Sequence, residues 1–431
     1  MSEALAVVLE GRLAGHLDRT RRNLLRFTYA EDATRTGRTP LSLSMPLADG
    51  SFTGEPVERF LRALLPESPG ALAAIERQHP GTDRNDPLSL LAAIGTDCPG
   101  AVQFCSPGDV EATVSRTGTL APQSPGQIEQ RLAAMRIDED SSWSMPGEHW
   151  SLGGTQPKFA LRRLGDEWYA AQGAEPTSHI LKPGVRGVKA QSLVEHISMR
   201  AAAACGVDVA VTEHMDFLSE TAVVVTRFDR ADRDGSLVRR HQEDLCQSLG
   251  TAEKYQEYGG PGAGDIIRLL RERSATASTA RSNVQRFVDG LVFNSVVAAP
   301  DAHARNYAVL LTGDDVHLAP LFDVATALPY DPTSRGRALS MSIDDEYVAE
   351  RITRTHWMRF ADEHGLDADH VVQRAQEITD IAPRAMLDAL GEVDDWDGSA
   401  VELRERLTSA LDTYLPTLAL HLSGRPGVVS P

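Results

Sequence analysis

The residues best suited to chemistry are Asp301, Asn306 and Asp323. The first two stand in Asp-Ala-His-Ala-Arg-Asn, a D-x-x-x-x-N spacing. A carboxylate and an amide oxygen on one loop offer two hard ligands, the kind a magnesium ion accepts. The carboxylate can also take or orient the proton of an attacking hydroxyl. Phosphoryl transfer needs both roles, because most of its catalysis is positioning and charge neutralisation. Alone, the spacing is common. The downstream residues make it more specific: residues 307–311 predict a strand, 312–315 a turn, 316–318 a returning strand, and Pro320-Leu-Phe-Asp323 supplies another carboxylate. Such a hairpin would bring Asp323 back beside Asn306. The same residues could instead serve only as turn formers and a helix cap.

Three further segments suit a phosphate-handling site. Ser151-Leu-Gly153-Gly154-Thr155-Gln156-Pro157-Lys158 precedes a predicted strand. Adjacent glycines let backbone N–H groups approach phosphate closely. It is not the G-x-x-x-x-G-K-[ST] loop, which leads into a helix; protein kinases cover ATP with a Gly-rich turn between strands. An ordinary hairpin turn is the simpler alternative for this segment alone. Lys182 ends a predicted strand, where it would reach the α- and β-phosphates, and Glu195, the only acid in residues 190–205, would pair with it. Either side chain could equally face solvent. Thr226-Arg227-Phe228 closes a strand and could present backbone groups and a ring to adenine, or simply run into a turn. His303 lies inside the D-x-x-x-x-N loop and is counted with the nucleotide-contacting residues.

These residues need a frame. Residues 4–17 alternate loosely and turn at Glu10-Gly11, a β-hairpin pattern. Residues 40–46 alternate Leu and Ser, the period of a half-buried strand. Residues 57–65 have helical spacing and stop at Pro66, and 101–104 predict a short strand. Together they suggest a small mixed module over residues 1–108. Residues 106–125 are rich in Ser, Thr, Gly and Pro and predict loop; 128–135 predict a short helix. Strands are expected at 159–164, 168–171, 177–181, 209–211 and 222–228, with a helix at 190–205 closed by Gly206. Residues 229–235 are charged and turn-like, and predict a hinge closing a β-rich ATP-binding lobe at 109–235. From about residue 242 the pattern is helical, apart from the hairpin at 307–318, which gives a helical lobe at 236–431.

Composition sets limits. The 431 residues are 42% hydrophobic and 24% charged, ordinary for a folded chain with a substantial core. Asp plus Glu outnumber Lys plus Arg by 61 to 43, a formal net charge of −18, which argues against a DNA-binding surface over the whole molecule. Cys98, Cys105, Cys205 and Cys246 form no C-x-x-C pair, so neither structural zinc nor a disulfide scaffold is expected. Met1-Ser2-Glu3 does not open a secretory leader, and no apolar run approaches the roughly 18 residues of a membrane helix. A cytoplasmic protein without a membrane partner is the expectation.

The pieces together resemble the HipA-like serine/threonine kinases, the toxins of bacterial HipBA-type toxin–antitoxin modules. The resemblance runs over nearly the whole chain. It rests on residues 40–46, Leu64-Leu-Pro-Glu67, residues 100–104, SLGGTQPK at 151–158, HILKP at 179–183, TRFDR at 226–230, HQEDLCQSLG at 241–250, KYQEYGGPG at 254–262, DAHARNY at 301–307 and PLFD at 320–323. It implies an α+β, two-lobe, protein-kinase-like fold, β-rich in its N-terminal part and mostly helical in its C-terminal lobe. It implies Asp301 as catalytic aspartate, Asn306 and Asp323 as magnesium ligands, Lys182 on the ATP phosphates and residues 226–228 around adenine. Ser151 resembles the family's autophosphorylated serine, whose modification would place negative charge where ATP phosphates sit. A HipB-like helix-turn-helix antitoxin is the implied partner, with DNA contacted mainly through it. A protein substrate, in the family including aminoacyl-tRNA synthetases, would be phosphorylated and growth arrested. Three departures stand out: Pro300 precedes Asp301, Gln156-Pro157 precedes Lys158 where the family's founding toxin has an acidic residue, and Val324 rather than Gly follows Asp323. The alternatives are a kinase-like small-molecule phosphotransferase and a catalytically weak antitoxin-binding co-repressor.

Overall fold

Glu10 and Gly11 both adopt left-handed backbone conformations, with φ of 50° and 71°. Two such residues make the tight turn whose twist matches an antiparallel pair, and the strands Leu5–Leu9 and Arg12–Arg19 leave it as anticipated. This hairpin opens a computed structural model that describes residues 4–34, 38–47, 50–139, 147–330 and 334–423. Met1-Ser2-Glu3 and residues 140–146 of the polar stretch before the Gly-rich loop lie outside the described residues.

The chain divides into two compact units. The first comprises residues 1–187, 215–252 and 309–319. It holds a five-stranded sheet in the order Ser51–Thr53, Leu25–Tyr29, Arg12–Arg19, Leu5–Leu9, Val102–Cys105. Helices Glu55–Ala63 and Pro87–Ile94 bury Phe60, Leu61, Leu90 and Leu91 against Val7, Phe27 and Phe104 of that sheet. A six-stranded sheet follows, in the order Thr212–Phe217, Glu220–Thr226, His179–Lys182, Phe159–Leu164, Glu167–Gly173, Gly118–Gln123. Helix Pro125–Ile137 covers it with Ile128, Leu132 and Met135. Ser124 starts this helix with a capping box to Gln127 and Pro125 at its first turn, so it runs longer than the apolar spacing alone indicated.

The second unit comprises residues 188–214, 253–308 and 320–431 and is mostly helical. Helix Ala368–Gly391 is its centre, packed by Gln191–Ala204, Ala277–Val296, Arg354–Glu363 and Ser399–Leu422. Gly206, at φ 76°, ends the Gln191–Ala204 helix as its spacing predicted. Among the described residues no helix is long and apolar enough to cross a membrane. The four cysteines are buried and unbridged.

Five expectations need correction. Residues 40–46 form a tight turn with one Ser42–Met45 bridge, not a strand. Leu41, Ser42, Leu43 and Met45 are all buried, and the Tyr29 hydroxyl donates to the Met45 carbonyl while accepting from the Leu41 N–H. Residues 106–125 contain the helix Val110–Val114 and the strand Gly118–Gln123, which tolerates Pro122 because it lies at the sheet edge. Val209 makes only an isolated bridge to Leu321. A second hairpin, Ala338–Ile343 with Glu346–Val348, interrupts the helical part. Finally, residues 229–235 are no hinge: Asp229 and Arg230 are buried, and Arg230–Arg233 pairs with Ser236–Arg239 across an Asp234-Gly235 turn.

Candidate active site

The Gly-rich loop is held against the end of a helix. Ser151 is fully buried; its N–H donates to the Asp97 carbonyl at 3.0 Å and its hydroxyl to the Leu64 carbonyl at 2.5 Å. Gly153 passes so near the helix Glu55–Ala63 that a Cβ there would lie 2.6 Å from the Ala63 carbonyl oxygen. Gly154, at φ 96°, accepts from the Glu67 N–H through its carbonyl. Lys158 donates to the Gly153 carbonyl at 2.8 Å and so clasps the loop itself. Thr155 is exposed at the tip and Gln156 half-buried. The loop's glycines are therefore required partly by its seat on residues 63–67, a constraint additional to any phosphate.

Lys182 ends the strand His179–Lys182 opposite Val223, and Thr226 stands opposite His179 in the same antiparallel pair. Lys182 is buried, whereas Thr226 and Phe228 are half-buried. Arg227, between them, points into a buried charge cluster that the sequence did not announce. It meets the Asp229 carboxylate at 2.8 Å and that of Asp97 at 3.4 Å. Arg230 and Arg239 also reach Asp97, at 2.8 and 2.9 Å, and Thr177 donates to it through both N–H and hydroxyl. Burial opposes ionisation of Asp97, but Arg230, Arg239 and Arg227 outweigh it and hold the carboxyl well below the usual range. The only sequence signal was an Arg-Phe-Asp-Arg run directly after an apolar strand.

The second unit carries the other candidates. Glu195 is buried on the helix Gln191–Ala204, so neither it nor Lys182 is a solvent-facing side chain. Asp301, His303 and Asn306 share one loop. The Asn306 side-chain N–H donates to the Asp301 carbonyl at 2.6 Å, and its backbone N–H to the His303 carbonyl at 2.8 Å. His303 is buried, with Nε2 3.7 Å from Asp301 Oδ1 and no hydrogen-bond partner on Nδ1 among the described residues. Burial lowers its pKa, against the pull of the Asp301 carboxylate. The Asp301 side chain is 67% exposed, open to an incoming group, and the Tyr255 hydroxyl donates to its Oδ1 at 2.7 Å. Tyr255 was not anticipated as a site residue, because it arrives from 46 positions upstream.

Asp323 is fixed from both sides. Leu321 exchanges backbone hydrogen bonds with Asp208 and Ala210, and the Thr326 hydroxyl donates to the Val297 carbonyl. Between these anchors Asp323 adopts φ 60°, unusual for a side chain larger than glycine. Such strain persists only where the surroundings enforce it, and it recurs at functional positions. The Asp323 carboxylate favours protonation of His303, against the larger effect of burial. Among the described residues no cluster of three or more His, Cys, Asp or Glu could hold a metal unaided. Magnesium does not need one, since it keeps waters and takes phosphate oxygens beside one or two protein oxygens. The donor set of Asn306 Oδ1 and the Asp323 carboxylate fits that habit.

A β-rich part and a mostly helical part, carrying these loops, define a mixed α+β fold of the protein-kinase-like class. Comparison places it more narrowly. The HipA N-terminal domain matches residues 5–105 and the HipA-like C-terminal domain residues 150–386. The serine/threonine-protein kinase toxin HipA of Shewanella oneidensis is 30% identical over 411 residues, 90% of each chain. Y4mE of Sinorhizobium fredii, provisionally named a kinase, is 31% identical over 399 residues, 91% of this chain and 93% of its own. A solved HipA–HipB–operator DNA complex from Shewanella oneidensis matches with a TM-score of 0.80 at 26% identity, over 98% of this chain and 100% of that one. The chain belongs to the HipA family of kinase toxins.

Proposed function

We propose that the chain is an ATP-dependent serine/threonine protein kinase acting as a growth-arresting toxin in the cytoplasm. In this reading Asp301 receives the acceptor hydroxyl's proton, and Asn306 and Asp323 hold magnesium. Lys182 reaches the α- and β-phosphates, with Glu195 as its expected partner. Gly153, Gly154, Thr155, Gln156 and Lys158 form the loop over the phosphates, Thr226 and Phe228 flank adenine, and His303 contacts nucleotide. The ion would supply neutralisation of charge developing on the transferred group. The chain's own residues contribute placement: Asn306 is oriented by its bond to the Asp301 carbonyl, and Asp323 by the anchors at Leu321 and Thr326.

The Asn306 geometry carries this reading. Its N–H is committed to the Asp301 backbone at 2.6 Å, so the amide oxygen is left for a hard cation beside the carboxylate. The buried Nδ1 of His303, without a hydrogen-bond partner among the described residues, suits a polar ligand. Since its relative was solved with HipB and operator DNA, a HipB-like helix-turn-helix antitoxin is the partner we assign, with DNA contacted mainly through it. A net charge of −18 agrees with that indirect contact. The substrate class is a protein hydroxyl, an aminoacyl-tRNA synthetase being the family precedent, and Ser151 is the proposed self-modification site.

The test is incubation of the purified chain with ATP and magnesium, followed by mass spectrometry, with Asp323→Ala as control. Phosphate on Ser151 that disappears in the control is the expected result. Phosphate transfer only to a small molecule would replace this reading with the small-molecule phosphotransferase. ATP binding without any transfer would favour a co-repressor role.

A further inference from the structure

We propose that Tyr255 is a positioning residue for phosphoryl transfer: its hydroxyl grips one oxygen of the Asp301 carboxylate and leaves the other aimed for the acceptor. The inference rests on the reading of Asp301 as the catalytic aspartate. Both described contacts to that carboxylate, from the Tyr255 hydroxyl at 2.7 Å and His303 Nε2 at 3.7 Å, fall on Oδ1. Oδ2 is then the oxygen for the incoming hydroxyl. A carboxylate 67% exposed on a short loop would otherwise turn freely about its last bond, and catalysis by positioning is sensitive to such freedom.

Tyr255 is itself on a rigid mount. The N–H groups of Lys254 and Tyr255 both donate to the Glu253 carboxylate, at 2.8 and 3.0 Å. Gln256 exchanges two hydrogen bonds with Ser342 on the strand Ala338–Ile343, at 3.0 and 2.9 Å. The Lys254 carbonyl accepts from Ala304, which ties the segment to the catalytic loop. The Tyr255 ring meets His303 edge-on at 5.0 Å, and the Lys254 ammonium lies 5.5 Å from the ring centre. Gly260 closes the turn onto the Tyr255 carbonyl, where a Cβ would sit 2.8 Å away. A donor held this firmly can fix a carboxylate, which a mobile side chain cannot.

During transfer the acceptor oxygen forms its bond to the γ-phosphorus as the bond from that phosphorus to the bridging oxygen of ADP breaks. The acceptor's proton passes to Asp301 Oδ2. Tyr255 keeps its own proton throughout; it holds and does not exchange.

Tyr255→Phe keeps the ring against His303 and removes only the hydroxyl. With ATP and magnesium, and ADP release as the readout, kcat should fall at least tenfold while KM for ATP and the thermal midpoint stay at their wild-type values. Tyr255→Phe added to Asp301→Asn should cost nothing beyond Asp301→Asn alone. Wild-type kcat in Tyr255→Phe, with Asp301→Asn inactive, overturns the role of Tyr255 and leaves the kinase reading standing. Full activity in Asp301→Asn, or no ADP release from the wild-type chain, overturns both. A tenfold loss that comes with an equal rise in KM or a lowered midpoint also counts against positioning, because a purely structural defect would give it.

Discussion

The Ser151 hydroxyl donates to the Leu64 carbonyl at 2.5 Å, in a position with no solvent exposure. The residue proposed for self-modification is thus also the residue that seats the Gly-rich loop. A phosphoryl group brings roughly −1.5 to −2 charge and three acceptor oxygens. It cannot replace a donor that faces a carbonyl, so a modified loop must leave its seat. Ser151→Asp should therefore weaken ATP binding at least tenfold by calorimetry, while Ser151→Ala stays within about threefold, because only the former introduces charge. Equal losses in the two variants would break the link between charge and release.

Gly153 gives a steric version of the same experiment. Its Cβ would meet the Ala63 carbonyl oxygen at 2.6 Å, and that backbone atom has no freedom to yield. Gly153→Ala should lift the loop and raise KM for ATP several-fold. Its cost to global stability should be modest, about 1–2 kcal/mol. An unchanged KM would show that the seat on residues 63–67 does not matter for nucleotide.

Asp97→Ala tests the buried charge cluster. It would leave three buried guanidiniums, Arg227, Arg230 and Arg239, with Asp229 as the remaining carboxylate of the cluster. Removing one partner from a buried ion network costs about 3–5 kcal/mol, so the urea midpoint should drop sharply. Being buried, the effect should hardly change between low and high salt. A loss below about 1 kcal/mol would mean that water reaches the cluster.

Glu243 provides a pH signature. It is buried, accepts from the Leu43 N–H at 2.9 Å, and burial raises its pKa from 4.5 to about 7 against that hydrogen bond and the nearby Ser42 and Ser248 hydroxyls; the Asp244 charge adds to the rise. Between those two values the folded chain keeps a proton that the unfolded chain has released. The stability this group contributes is thus complete below pH 4.5 and is lost as pH rises through about 7, with a slope of at most about 1.4 kcal/mol per pH unit. Glu243→Gln should remove that slope and gain on the wild type at pH 8. Parallel stability curves for the two proteins from pH 5 to 8 would refute it.

Local signals were read well from the sequence. The Glu10-Gly11 turn, the strand at 159–164 and the Gly206 helix end each depend on neighbours a few residues away. What escaped depends on distant partners. Asp229 and Arg230 looked like a solvated hinge because nothing nearby reveals that Asp97, more than a hundred positions earlier, neutralises the arginines. Residues 40–46 looked like a half-buried strand because the alternation of Leu and Ser hides that Ser42 is buried as fully as Leu41. For the candidate site, the motif named Asp301, His303 and Asn306 together, and the structure keeps them on one loop. Tyr255 stood inside the quoted segment 254–262 but received no role, since a hydroxyl reaching across 46 positions leaves no periodic trace.

The charge cluster also constrains descent. Asp97 falls within the segment matched by the HipA N-terminal domain, and Arg227, Arg230 and Arg239 fall within the segment matched by the C-terminal one. A recombination event that joined these halves from unrelated parents would leave the three buried guanidiniums with Asp229 but without Asp97. Positions 97, 227, 229, 230 and 239 are therefore expected to change in concert or not at all among relatives.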